Sequence, residues 1–160
     1  MNKYIRSILI LISIISLSNL ITFANTPVNY PVEGEEDARN EIAIFLGLTT
    51  NKDATAATFG VDYQYRLTGP VGLGLVLDHA AGDIKSTLLA PGLFLHLLNW
   101  ELTVAPGVEF VDSETNFVFR AGIEYEIKLP YFSISPAINV DFERNDETAL
   151  VYGLSFGMEF

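Results

Sequence analysis

Residues 150–160 read Leu-Val-Tyr-Gly-Leu-Ser-Phe-Gly-Met-Glu-Phe. Large apolar side chains stand at Leu150, Tyr152, Leu154, Phe156, Met158 and Phe160, and smaller or polar residues fall mostly between them. A period of two sustained this long is that of a β-strand with unlike faces, not of a helix. Working back from this segment, the same beat recurs. Strand one carries Ile42, Ile44, Leu46 and Leu48. Strand two carries Phe59 to Leu67 at odd positions, and strand three Val71 to Leu77. Strand four runs Leu89 to Leu97, strand five Leu102 to Phe110, strand six Phe117 to Ile127 and strand seven Phe132 to Phe142, the last again at even positions. No charge falls on any of these apolar positions.

The punctuation is periodic too. Tight turns are expected at Thr68-Gly69-Pro70, Leu98-Asn99-Trp100 and Leu129-Pro130-Tyr131. Longer polar connections are expected at Asn51-Lys52-Asp53, Ala80 to Thr87, Asp112 to Asn116 and Arg144 to Thr148. Eight antiparallel strands result, with tight turns at one end and looser loops at the other. Outer-membrane barrels show this asymmetry, with periplasmic turns and outward loops.

Alternation does not say which face is outside, since a soluble eight-stranded carrier also alternates. Volume separates the two. An eight-stranded interior is just wide enough for side chains, too small for so many large apolar ones. The opposite face carries Gly47, Gly60, Gly72, Gly74, Gly92, Gly107, Gly122, Gly153 and Gly157. The large apolar face therefore points out, into lipid, and Ser at the inward Gly74 should be much milder than Arg at the neighbouring Leu75. Aromatics gather near both ends of the strands, as membrane-interface girdles do. Pro91, Pro106 and Pro136 lie within strands, where each removes a ladder donor; bulges are expected there.

The start of the chain is an address. Lys3 and Arg6 precede an uncharged, Ile/Leu-rich run to Phe23, and Thr22-Phe23-Ala24 offers a signal-peptidase site. The domain reading is a signal peptide at 1–24, an acidic periplasmic lead-in at 25–39, and a transmembrane barrel at 40–160. The location expected is the outer membrane of a Gram-negative cell.

Composition narrows function. The chain has no cysteine, two histidines and a formal charge of −11, which excludes thiol chemistry and disfavours nucleic-acid partners. The inward acids are Glu41, Asp62, Asp78, Glu101, Glu109, Glu124, Glu126, Asp141, Glu143 and Glu159. Against them stand Arg66, Arg120 and Lys128, with His96 as a possible fourth cation. Acids and bases paired across the lumen make a structural plug. Arg120 is expected to serve Glu109 and Glu124. An acidic excess instead suggests a narrow cation-favouring pore. For acyl-transfer chemistry the available parts are Asp78, His79 and Ser86, a weak constellation. No catalytic, cofactor or metal site is expected; Asp53, Asp112, Glu114, Asp146 and Glu147 read as a solvated acidic rim.

The leader, the eight alternating strands and the closing Tyr152-Gly153-Leu154-Ser155-Phe156-Gly157-Met158-Glu159-Phe160 resemble the small outer-membrane β-barrel superfamily, including OmpX/Ail-like adhesion barrels and the OmpA membrane domain. The resemblance covers residues 40–160. It implies a structural or surface-interaction role, and it implies that Tyr152, Phe156 and Phe160 form the signal read by the barrel-assembly machinery. Some small barrels of this kind modify lipid A acyl chains, which gives a second alternative. The partners implied are outer-membrane lipid, the assembly machinery and a surface ligand of unknown identity.

Overall fold

The computed structural model describes residues 39–112, 114–143 and 148–160. The signal peptide and all of the lead-in but Arg39 lie outside them, as do Arg144 to Glu147. The strands are β1 (Asn40–Thr50), β2 (Thr55–Thr68), β3 (Val71–Ala80), β4 (Ser86–Leu97), β5 (Trp100–Val111), β6 (Glu114–Tyr125), β7 (Ile127–Lys128), β8 (Ser133–Glu143) and β9 (Thr148–Glu159). Each pairs antiparallel with its sequence neighbour except β6 with β7; β1 also pairs with β9, and β6 pairs with β8. The sheet closes. Strands β6 and β7 form one stave interrupted at Glu126, so the barrel has eight staves, as the alternation indicated.

The seam is held at its end by a reciprocal backbone pair. Asn40 N–H donates to the Phe160 carbonyl at 3.0 Å and Phe160 N–H donates back at 2.8 Å. Closure leaves no strand edge, the condition a lipid-exposed backbone must meet.

The faces are those read from the alternation. Ile44, Leu46, Phe59, Leu75, Leu93, Phe117, Ile138 and Leu154 are exposed on the outside, and the strand glycines all point inward. Such a continuous apolar surface is tolerated in lipid and not in water. Trp100 meets Tyr125 edge-on at the turn end, ring centres 4.8 Å apart.

Three expectations change. The connections at the loop end are nearly as short as the turns: residues 51–54, 81–85 and 112–113 link β1–β2, β3–β4 and β5–β6. Ala80, Ser86, Thr87, Glu114 to Asn116 and Thr148, expected in connections, are in fact ladder residues. Threonine contributes, since its branched Cβ suits a strand and its hydroxyl can find a cross-strand partner, as Thr87 does at 3.0 Å from His79 Nδ1. On the neighbouring strands the Thr49 and Thr58 hydroxyls lie 2.6 Å apart, Thr50 and Thr55 3.0 Å. The β1–β2 link is closed by Asn51, whose Oδ1 accepts from Asp53 and Ala54 N–H at 2.9 and 2.8 Å.

The prolines produce no register shift. Pairing between β4 and β5 runs to Leu89–Val108 and resumes in the same register at Leu93–Val104. Pro91 and Pro106 therefore face one another in a single gap, so two missing donors interrupt one ladder once. Pro136 stays in register with Leu154, and on its other side lies the break between β6 and β7. The irregularity falls instead between Arg66 and Thr68.

The glycines also do more than ease curvature. Phe94, 2% exposed, lies inside the lumen, and a Cβ on Gly92 or Gly74 would come within 2.7 and 2.9 Å of its ring. Gly74 additionally faces the Tyr63 carbonyl, which is backbone and cannot step aside. A side chain at Gly74 therefore costs more than its inward position alone suggests. Phe45 is seated the same way on Gly47. Around these rings form two inward apolar clusters: Val76, Leu88, Ala90, Ala105 and Val118 with Phe94, and Ala137 and Val151 with Phe45.

Candidate functional site

Period-two geometry puts every second residue of each stave into the lumen, so the inward polar residues meet whether or not they are near in sequence. Two groups result. The first is centred on Arg120 of β6, 4% exposed. Its Nε and Nη2 donate to the two carboxylate oxygens of Asp141, its register partner on β8, at 2.7 and 2.8 Å. Its Nη1 donates to Asp78 Oδ2 on β3, across the lumen. This planar fork serving two acids is what a guanidinium can do and an ammonium cannot. Asp78 in turn fills the space that Gly60 leaves open.

Here the reading of Arg120 is corrected. Its donors go to Asp78 and Asp141, not to Glu109 or Glu124. Glu109 lies beside Ser86, and its register partner on β6 is Asn116. On β5 the register partner of Arg120 is Ala105, four residues from Glu109, while on β8 it is Asp141 itself.

The second group lies toward the end where the chain's described termini meet. Arg66 donates to Glu159 at 2.7 Å and stands 3.9 Å from Glu41. Lys128 donates to the same Glu159 oxygen at 3.0 Å and lies 3.6 Å from Glu126. His96 Nδ1 is 3.4 Å from Glu101. Gln64 Nε2 donates to both Glu101 oxygens, at 3.0 and 3.1 Å. A cavity of about 10 Å³ opens among Glu41, Asp62, Gln64, Glu101, Glu124, Glu126 and the serines Ser133, Ser135 and Ser155. Gln64 and the three serines were not singled out in the sequence. Their position on the lumen face was readable from the alternation, but their clustering was not.

The residues weighed for acyl transfer separate. Ser86 is buried on the lumen side, His79 is on the outer face with Nδ1 3.0 Å from the Thr87 hydroxyl, and Asp78 is engaged by Arg120. Phe59 packs on the His79 ring at 5.2 Å. Among the described residues no three His, Asp or Glu groups form a ready-made metal set. Tyr152 on β9 and Phe160 just after it are exposed and Phe156 is partly so, all on the outer face.

Solved structures share this architecture. The attachment invasion locus protein Ail of Yersinia pestis superposes with a TM-score of 0.56 at 13% identity, covering 78% of this chain and 99% of that one. This is the fold of the small eight-stranded outer-membrane β-barrels. The N-terminal β-barrel domain of Pseudomonas aeruginosa OprF gives 0.53 at 18% identity, covering 76% and 98%. A de novo designed transmembrane β-barrel gives 0.51 at 14% identity, covering 78% and 98%. No protein-family model and no curated protein sequence matches the chain. What this barrel shares with these proteins is the fold.

Proposed function

We propose that the chain is a structural or surface-interaction barrel of the bacterial outer membrane, with its lumen plugged by the polar and acidic network. The observation that carries this reading is the Arg120 clamp. One buried guanidinium ties β3, β6 and β8 together across the lumen, and the Phe94 cluster fills neighbouring space. Such a filled section supports a lumen without a continuous water path. On this reading the leader directs export, lipid covers the outer face, and the strand ending in Phe160 engages the assembly machinery. The short described connections favour a structural role over a broad adhesive surface.

A narrow cation-favouring pore is the second reading, favoured by the excess of acids over cations toward the chain-end half of the lumen. The lipid A-modifying reading lacks support, because Ser86 and His79 lie on opposite faces. The test is conductance of the refolded barrel in a planar bilayer. No steady current is expected. A stable, cation-selective current would overturn the plug and favour the pore. Release or transfer of an acyl chain from lipid A by the same sample would overturn the structural reading in favour of an enzyme.

A further inference from the structure

The barrel's tight turns differ in what they present. The connection between β2 and β3 is Gly69-Pro70, which carries no large side chain. That between β4 and β5 is Leu98-Asn99. That between β7 and β8 runs from Leu129 to Phe132, where Leu129 N–H donates to the Phe132 carbonyl at 2.9 Å and leaves Pro130 and Tyr131 at the tip. Leu98 is 73% exposed and Tyr131 88%, the two most exposed large apolar side chains among the described residues.

Leu98 stands there against backbone preference. Its φ is +58°, a left-handed conformation that an L side chain rarely adopts. Gly69 takes nearly the same φ, +57°, in the β2–β3 turn, where glycine adopts it without strain. Nor is the β4–β5 turn loose. Glu126 N–H donates to the Asn99 carbonyl at 2.7 Å, and Asn99 Nδ2 donates back to the Glu126 carbonyl at 3.1 Å. A strained leucine is thus fixed at a tip where glycine would do, with most of its side chain bare.

What covers these tips follows from what they adjoin. Leu97 and Trp100 beside Leu98, and Leu129 and Phe132 beside Tyr131, are exposed too, and no residue of 97–100 or 129–132 is charged. The lipid-facing wall therefore runs on into both tips without the polar rim that bounds a protein-binding patch. The boundary between headgroups and acyl chains suits a leucine, which buries carbon, and a tyrosine, which keeps its hydroxyl wet. We propose that the tips at Leu98 and Tyr131 are immersed in the phospholipid leaflet at the turn end while Gly69-Pro70 stands in water, so that the barrel is sunk on its β4–β8 side and its axis leans that way. The partner is the phospholipid surface itself. The proposal rests on the outward apolar wall and not on the plug, so a current through the lumen leaves it standing.

The first experiment needs no substitution. The full chain, refolded singly into phosphatidylcholine nanodiscs, is exposed to hydroxyl radicals generated in the water, and oxidation is read residue by residue by mass spectrometry. Relative to the urea-unfolded chain, Leu98 and Tyr131 are expected to be protected several-fold more than Pro70. Equal, low protection of all three would overturn the proposal. Because the chain has no cysteine, Leu98→Cys, Tyr131→Cys, Pro70→Cys and Leu75→Cys each carry a polarity-sensitive label at one place. Labels at 98 and 131 should emit to the blue and be quenched by nitroxides borne on lipid, as the label on the wall at 75 is. The label at 70 should be quenched by iodide in the water. Water-exposed labels at 98 and 131 with a lipid-exposed label at 75 would overturn the proposal and leave the outward wall standing; a water-exposed label at 75 would overturn both. Lipid quenching at 70 as well would overturn the lean. Protection of the tips that appears only with two barrels per disc would overturn lipid in favour of a second copy of the chain.

Discussion

Arg120 on β6 and Asp78 on β3 are 42 positions apart in sequence and meet across the lumen as a buried ion pair. Arg120 holds Asp141 at the same time, so one side chain restrains three staves. Removing one member of a buried pair leaves the other charged and alone, which typically costs about 3–5 kcal/mol. Arg120→Ala should therefore lower stability by roughly that amount at neutral pH. At mildly acidic pH the loss should shrink, since what the substitution leaves behind is uncompensated buried charge. Urea unfolding of both proteins in lipid, at the two pH values, checks this. An equal loss at both would assign Arg120 to packing alone. Arg120→Lys should recover part of the stability, since an ammonium lacks the fork.

The two glycines at the start of β3 should behave differently although both face inward. A Cβ on Gly72 would meet its nearest neighbours at 3.5 Å, an ordinary contact. Gly72→Ala should be neutral or stabilising by about 0.5 kcal/mol, through the lower entropy of the unfolded chain. Gly74→Ala drives a methyl into the Tyr63 carbonyl and the Phe94 ring and should cost more than 1 kcal/mol. Unfolding midpoints of the two variants, side by side, decide it; equal effects would mean Phe94 is not seated on Gly74.

On the outer face the relevant scale is the cost of a cation in lipid. Leu75→Arg and Val104→Arg should each destabilise by roughly 2–4 kcal/mol if they lie near mid-depth. Refolding yield into bilayers measures this. Wild-type yield for both would place the alternation in the wrong register.

Phe160 combines a side chain and a seam, and the two can be parted. Phe160→Ala keeps the backbone pair with Asn40, so the finished barrel should lose little in vitro while outer-membrane yield in cells falls. Deleting residue 160 also removes the two backbone bonds, each worth about 1 kcal/mol net, and should lower stability as well. Normal insertion of Phe160→Ala in cells would remove the assembly role from the side chain.

The exported chain should fractionate with the outer membrane, begin near Asn25, and migrate as a compact form until boiled. N-terminal sequencing and gel mobility with and without heating check this. Recovery as a soluble periplasmic protein would be incompatible with an outward apolar face.

Face and strand order were legible because they are encoded locally: Leu73 and Leu75 point out and Gly72 and Gly74 point in from period alone. Contacts across the lumen were not, because they depend on the stagger between staves, which no single strand records. That is why Arg120 was assigned to Glu109. Phe45 and Phe94 were missed for another reason. Each is an apolar residue at an inward position, and only the glycines beside it show that a ring lies there. The loop lengths were overestimated at Thr87, Thr115 and Thr148, where polarity suggested solvent and branching at Cβ supported the ladder.

The described connections at 51–54 and 81–85 have a topographic consequence. Where the barrel turns back within so few residues, it stops at about the depth of the lipid headgroups. In an outer membrane whose surface is a brush of polysaccharide, it would lie beneath the canopy. Antibodies and phage tails approaching from outside would meet sugar first, and anything that touches this protein there must be small, or must already be at the membrane surface.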